Sequence, residues 1–225
     1  MRKRRPVLRI PSLALALLSL AAPGLAPAGA RAEGVHPFQL EAALVGSQPF
    51  GTLSSGDKLS DAFGFGGNAT GSAWLRMSRG LWLGVRAGYL KSHQDFTFTY
   101  RPSFGAPPVS APATRTLNSI PVLAVIQLRG DPHRKLGLYG EGGLGVTTFN
   151  ERIVYSPAGF QPQSFFQLTP SYLLGGGVTM AAGRDFELLL GADVLQSFAG
   201  QGDVFQKGDN PAYFMVSLGA RYPRW

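Results

Sequence analysis

Eight segments of this chain alternate residue by residue, and in each of them one face carries no charge. They lie near residues 36–46, 64–77, 81–91, 115–129, 135–149, 165–181, 185–198 and 211–222. A period of two is the mark of a strand whose two faces meet different surroundings. The uncharged parity reads Phe38, Leu40, Ala42, Leu44 in the first segment and Leu81, Leu83, Val85, Ala87, Tyr89 in the third. In the last it reads Phe214, Val216, Leu218, Ala220, Tyr222. The other parity collects Glu41, Arg76, Arg86, Arg129, Glu141, Glu187, Asp193 and Arg221, with Trp74, Trp82, Tyr139, Tyr213 and Met215 among them.

A soluble β-sandwich also alternates, burying its apolar face and wetting the polar one. The connections separate the two cases. Long ones, at 47–63, 92–114, 150–164 and 199–210, take turns with short ones at 78–80, 130–134 and 182–184. Such a meander has two unlike ends, as a transmembrane barrel does. The expectation is an all-β fold, an eight-stranded antiparallel up-and-down transmembrane β-barrel whose four long loops are extracellular. On this reading the charged parity faces the lumen. A basic residue facing lipid at mid-depth would cost about 2–4 kcal/mol.

The first residues carry an address. Arg2, Lys3, Arg4, Arg5 and Arg9 precede an apolar stretch from Leu13 to Ala22, and Ala30-Arg31-Ala32 has the form that signal peptidase cuts. Residues 1–32 therefore read as a cleaved signal peptide and 33–225 as the barrel domain. The alternative, an uncleaved anchor, needs a longer span than this proline-interrupted stretch supplies. The whole chain has a formal net charge of +8. Six of its 21 Lys+Arg residues and none of its acids lie in residues 1–32, which leaves 15 basic against 13 acidic residues, a net of +2. The basic excess belongs to the address, so nucleic-acid binding has no support. With no cysteine, neither a disulfide scaffold nor thiol chemistry is available.

Motifs that suggest chemistry do not survive their context. Gly140, Gly142 and Gly145 spell G-x-G-x-x-G, but Val-Thr-Thr-Phe follows where a helix should open, and no acid stands about twenty residues on. The run is a strand, with Glu141 pointing into the lumen. Of the histidines, His36 and His133 fall at the periplasmic end. His93 stands beside Ser92 and near Asp95, but neighbouring residues of a strand point to opposite sides, so no hydrolytic pair forms. No metal-ligand spacing is present, and no catalytic residue, cofactor or metal site is expected.

The pattern resembles the small eight-stranded outer-membrane β-barrels of the OmpA/OmpX type, over nearly all of residues 36–225. The resemblance implies a monomer in the outer membrane of a Gram-negative bacterium, among outer-membrane lipid and lipopolysaccharide. It also implies that the last strand is an assembly signal for the barrel-assembly machinery, made by Phe214, Val216, Leu218, Ala220, Tyr222 and Trp225. Counting back by twos from Trp225 meets Pro223 and Arg221, whereas counting from Tyr222 meets apolar residues throughout.

The function expected is non-enzymatic: envelope integrity, surface adhesion or limited, porin-like permeation. The alternatives are a lipid-A-modifying outer-membrane enzyme and a soluble periplasmic calycin-like ligand-binding barrel. Three finer expectations follow. Arg86 and Glu141 should pair as a gate in the lumen, with Glu41 or Asp193 sharing the arginine. Pro121 and Pro170 should mark thinning of the ladder near the outer ends of the fourth and sixth strands, since proline donates no hydrogen bond. Phe96, Phe98 and Tyr100 continue the alternation past the membrane edge, as if strands three and four ran into solvent, so segment 92–114 should either meet an extracellular partner or stand as a rigid hairpin packed on the neighbouring loops through Phe160, Phe165, Phe166 and Phe205.

Overall fold

The computed structural model describes residues 38–51, 58–130, 136–156, 160–183, 185–200, 202–206 and 209–222. The signal peptide, His36, His133 and Trp225 lie outside them. Eight strands close into one barrel in chain order: β1 (Phe38–Phe50), β2 (Gly66–Ser78), β3 (Leu81–Tyr100), β4 (Val109–Arg129), β5 (Leu136–Tyr155), β6 (Gln163–Ala182), β7 (Phe186–Ser197) and β8 (Ala212–Tyr222). Every neighbouring pair is antiparallel, and β8 closes on β1 through Glu41↔Arg221. A single helical turn, α1 (Leu59–Ala62), interrupts the first long connection. Gly80 and Gly183 occupy short turns with φ of +83° and +81°, a region that only glycine enters freely.

The barrel is inside out relative to a soluble protein. Leu44, Leu138 and Leu144 face outward and are about 70% exposed (72%, 67% and 71%), whereas Glu41, Arg86, Glu141, Asp193 and Arg221 are buried. Apolar residues that face water at every strand would be an aggregation surface. Facing lipid, they are the fold's solvent contact. The interior is filled. Trp74, Trp82, Leu123 and Tyr213 are wholly or almost wholly inaccessible, as the width of an eight-stranded barrel leads one to expect. Tyr139 shows how the space is used: a Cβ on Gly191 would meet its hydroxyl at 2.4 Å and one on Gly177 its ring at 2.9 Å. A large side chain on one strand lies flat on glycines of others.

Four strands outrun the rest. Pairing of β2 with β3 ends at Ala69↔Tyr89, and pairing of β6 with β7 ends at Ser171↔Ser197. Between them β3–β4 pairing continues to Tyr100↔Val109, β4–β5 to Ala113↔Tyr155, and β5–β6 to Ile153↔Gln163. The result is an open four-stranded wall above the closed barrel. Along β3 it runs roughly 35 Å at ~3.3 Å per residue.

This corrects the loop boundaries. Extension of β3 and β4 matches expectation, but that of β5 and β6 does not. Segments 92–114 and 150–164 are mostly strand, and the connections that remain are 101–108 and 156–162. Likewise β1 runs to Phe50 instead of ending near residue 46, which moves the start of the 47–63 loop. The reason is chemical. Above the apolar band the alternation continues with its polarity reversed. In β5, Leu144 and Val146 face outward below, while above them Phe149 and Ile153 face inward and Asn150 and Arg152 outward. A ladder does not stop where the lipid does.

The prolines sit where pairing fails on one side but not near the outer ends of their strands, because β4 and β6 run on to Val109 and Gln163 above them. The β3–β4 register skips Gly88 and Tyr89 opposite Ile120 and Pro121, although Pro121↔Thr147 keeps the β4–β5 side whole. Pro170 is paired with Val146 and lies one residue past the last β6–β7 pair, where its carbonyl accepts the Phe198 N–H at 2.9 Å.

Candidate functional site

The register assembles the lumen charges before any side chain is considered. One row of cross-strand partners runs Arg86–Ser72–Glu41–Arg221–Glu187 through β3, β2, β1, β8 and β7. A second runs Gln127–Glu141–Gly175–Asp193 through β4, β5, β6 and β7. All of the charged members have the inward parity. Arg86 crosses the lumen and ties the rows together.

Its guanidinium grips Glu141 with two nitrogens, Nη1 to Oε1 and Nη2 to Oε2, the latter at 3.0 Å. Nη2 also donates to Glu41 Oε1 at 3.2 Å, Nε donates to Ser72 Oγ at 3.1 Å, and Nη1 lies 3.6 Å from Asp193 Oδ2. The four residues singled out from the sequence, Glu41, Arg86, Glu141 and Asp193, therefore meet, and both Glu41 and Asp193 share the arginine.

Further members complete the cluster. Arg221 donates from Nη2 to Glu41 Oε2 and from Nη1 to Glu187 Oε2, both at 2.8 Å. Gln127 accepts from Arg221 Nη2 at 3.1 Å and donates to Glu141 Oε2 at 2.7 Å. Trp74 Nε1 donates to Glu41 Oε2 at 3.1 Å. Arg129 lies 4.0 Å over the Trp82 ring and donates to Gln39. Arg221, Gln127 and Arg129 were visible as inward residues. What parity alone does not give is the closure register that sets Arg221 beside Glu41.

Buried ions are tolerated only with their hydrogen bonds met, and removing one partner of such a pair costs about 3–5 kcal/mol. Here Arg86 has four oxygen-bearing neighbours and Glu141 two donors, so the cluster is a rigid crosslink between opposite walls. Among the described residues no group of His, Cys, Asp or Glu is arranged to hold a metal ion.

The mouth above it is covered. Leu59 and Phe63 from the first long connection and Phe205 from the last are buried against the inner face of the wall. Phe205 meets Phe149 edge-on at 4.9 Å between centroids. Gln167 on β6 fastens the last connection, accepting the Phe205 N–H at 2.7 Å and the Val204 N–H at 3.2 Å and donating to the Gly200 carbonyl at 3.1 Å. On the other flank Arg115 pairs with Glu151 at 2.7 Å and lies 5.7 Å from the Phe63 ring centroid and 5.6 Å from that of Phe96. Burial pushes the Glu151 carboxyl above the ordinary carboxylate range, against the pull of Arg115. Higher on the same face Phe98, Tyr100, Tyr155 and Phe160 form one cluster of rings.

Ser92 and His93 take opposite faces, the serine buried and the histidine exposed, and Asp95 is engaged by Thr114 Oγ1 at 2.6 Å. They do not come together as a catalytic set. On β8, Phe214, Val216, Leu218 and Tyr222 line the outer surface.

No protein-family model and no curated protein matches the sequence. Solved structures do. Neisserial surface protein A is 19% identical, with a TM-score of 0.51 over 85% of this chain and 99% of its own. Ail, the attachment invasion locus protein of Yersinia pestis, is 13% identical with a TM-score of 0.45 over 84% of this chain and 100% of its own. The Escherichia coli outer membrane protease OmpT is 9% identical with a TM-score of 0.47 over 86% and 99%. In its closed eight-stranded meander this chain has the fold of the small outer-membrane β-barrels.

Proposed function

We propose that the chain is an integral outer-membrane protein that makes surface contacts by β-strand addition to its extracellular wall, and that it carries no enzymatic activity. The observation that carries this reading is the free edge of β3. Beyond its pairing with β2, the stretch Gln94–Tyr100 pairs with β4 alone among the described residues. An unpaired edge is a template for another strand unless it is blunted by charge, proline or a bulge. Between Phe96 and Tyr100 none of these occurs. The ring cluster of Phe98, Tyr100, Tyr155 and Phe160 braces the edge from behind, which lowers the ordering cost of docking.

Steady permeation fits less well, because aromatic side chains and the Arg86 cluster fill the lumen and the mouth is covered. The outward parity of Phe214, Val216, Leu218, Ala220 and Tyr222 supports the assembly-signal reading of β8.

The test is a lysine pair on the exposed face of the edge, Thr97→Lys with Thr99→Lys. Attachment of displaying cells to protein-coated surfaces should fall about ten-fold, with heat-modifiable mobility of the barrel unchanged. Equal attachment by the double variant, or by cells lacking the protein, sinks the proposal. Planar-bilayer recording should show no steady open level. A stable open channel would move the reading to permeation.

A further inference from the structure

The edge of β3 that lies open among the described residues has definite ends and a definite charge pattern. At its foot the Gly64 N–H donates to the His93 carbonyl at 3.2 Å and caps it. At its head β3 stops at Tyr100, and Pro102 follows Arg101. Successive residues of a strand aim their backbone groups to alternate sides. With the His93 carbonyl on the open side, Asp95, Thr97 and Thr99 also direct their N–H and C=O groups there. Their side chains face outward and are exposed, and Arg101 follows on the same parity, whereas Phe96, Phe98 and Tyr100 face inward. Asp95 and Arg101 are the only formally charged residues between Lys91 and Arg115, and neither forms an ion pair among the described residues.

Such an edge complements itself. Laid antiparallel on a second copy with Phe98 opposite Phe98, it sets Asp95 opposite Arg101, Phe96 opposite Tyr100 and Thr97 opposite Thr99, each of these pairs occurring twice. The pairs of Asp95, Thr97, Thr99 and Arg101 exchange the ladder hydrogen bonds, since their backbone groups point outward from the edge. The aromatic pairs then take the closer, non-hydrogen-bonded positions, where side chains interact most. Other registers do worse. Centring on Phe96 opposes Lys91 to Arg101, and centring on Asp95 opposes two carboxylates. Centring on Thr97 or Thr99 leaves both charges unpaired. The register centred on Phe98 also runs from Asp95 to Arg101, which is the stretch left between the Gly64 cap and Pro102.

Resting on the strand-addition reading above, we propose that the partner of this edge is a second copy of the chain, seated in a facing membrane. The orientation follows from the two faces of the wall. Antiparallel strands are related by a two-fold axis normal to the wall. That axis keeps the ring-bearing inner face continuous from one copy to the other and points the two barrels in opposite directions. Two copies in one membrane would bring their β3 strands together in parallel. Joining like edges would then turn one wall over and set its rings beside the polar face of the other. The wall has the reach: from Tyr89, the last of the outward apolar row, to Phe98 is about 30 Å along the strand at ~3.3 Å per residue. Its opposite edge offers no rival, because Gln167 fastens the last connection beside β6 and the Phe198 N–H occupies the Pro170 carbonyl. So short an edge holds weakly as a single pair, and many copies on two facing surfaces act together.

The test uses two populations of phospholipid vesicles carrying the full chain, labelled as fluorescence donor and acceptor, with tethering read as energy transfer at low ionic strength. Native vesicles should tether to one another and not to protein-free vesicles. Asp95→Lys makes both charge pairs cationic and Arg101→Glu makes both anionic, so each variant should tether to itself about ten-fold more weakly. Mixing Asp95→Lys vesicles with Arg101→Glu vesicles restores both opposite-charge pairs and should return tethering to the native level, as should the two changes in one chain. If a reversed charge prevents insertion, Asp95→Asn and Arg101→Gln carry the test at about three-fold each. Native vesicles that do not tether, or that tether equally to protein-free vesicles, overturn the self-partner. So does a mixture as weak as the single variants. Attachment of displaying cells that still falls with Thr97→Lys and Thr99→Lys would then keep strand addition with another partner. Attachment untouched by that pair sinks the strand-addition reading itself, a different failure.

Discussion

The two halves of β5 do opposite things with the same alternation. From Leu136 to Val146 the outward residues are apolar and the inward ones are glycines, Tyr139 and, at the centre, Glu141. From Thr147 to Tyr155 the inward residues include Phe149, Ile153 and Tyr155, while Asn150 and Arg152 face out. In the lower half the sheet is closed, so each inward group must find its partner on an opposing wall, and charges pair across the lumen. In the upper half the sheet is open and its inner face is covered by the first and last long connections. One strand thus belongs to two folding regimes. Both halves are paired with β4 and β6, but only around the lower half does the ladder run on into a closed barrel. The upper half relies on local packing. Damage below should spread to the whole barrel, and damage above should stay near the mouth.

The largest effect is expected at Glu141. Glu141→Ala leaves Arg86 and Gln127 short of an acceptor in a dry interior, at a cost of about 3–5 kcal/mol. Urea unfolding of the protein in lipid vesicles should register the loss as a shift of the single global transition. Arg86→Ala added to Glu141→Ala should cost less than the sum of the two single changes, because either one alone already breaks the bidentate pair. Strict additivity of the two would mean that they do not interact, and the gate proposed for this pair would fall. If the pair is a gate, Glu141→Ala also raises single-channel current. A destabilised but silent variant would leave the cluster as a structural crosslink only.

Phe205→Ala tests the other half. A buried Phe→Ala change costs about 3–5 kcal/mol when the whole fold must absorb it. Here the ring packs on Phe149 from a connection that can open by itself, so the loss should appear as local opening. Amides of residues 202–206 should lose protection from exchange and the 198–211 connection should become susceptible to protease, while the global midpoint moves by less than about 1 kcal/mol. A full global shift would show that mouth and barrel unfold as one unit, and the contrast drawn from β5 would fail.

The same contrast explains what could be read in advance. Strand number, antiparallel order and lumen parity follow from the uncharged face, because lipid forbids exceptions at mid-depth. That parity placed Glu41, Arg86, Glu141 and Asp193 on one side of the wall. Their meeting needed only similar heights above the short turns. The wall was harder to read. Past Val146 the outward residues Thr148, Asn150 and Arg152 look like a loop to anyone following the apolar face. Yet Phe149, Glu151, Ile153 and Tyr155 keep the period with the sign reversed. For Arg221, parity was visible, but its place beside Glu41 depends on how β8 closes onto β1, which is a long-range register. Phe63 sits in a connection with no period at all, and nothing local announces that it covers the mouth, whereas Phe205 was legible only as a loop ring that should pack on its neighbours.

The smallest effect concerns acid. Glu151 stands in the wall, outside the membrane, with its carboxyl raised by burial and only partly drawn back by Arg115. A carboxyl whose folded pKa exceeds its unfolded one binds its proton more tightly when folded. Its contribution to stability is therefore fully present below the ordinary value near 4.5 and fades as pH rises through the raised value. Acidification from neutral pH into that window should tighten the packing of Phe63 and Phe149 around this site, opposite to the usual loosening by acid. Protection of the Phe63 and Gly64 amides, taken relative to their intrinsic exchange rates at each pH, should rise modestly over this range in the native protein, and Glu151→Gln should flatten the dependence. Arg115→Gln should steepen it, since removing the cation leaves burial unopposed and raises the carboxyl further. Protection that falls in acid in the native chain, and no longer does so in Glu151→Gln, would mean that Arg115 and not burial governs this carboxyl. The wall would then hold its charges by pairing, as the lumen does.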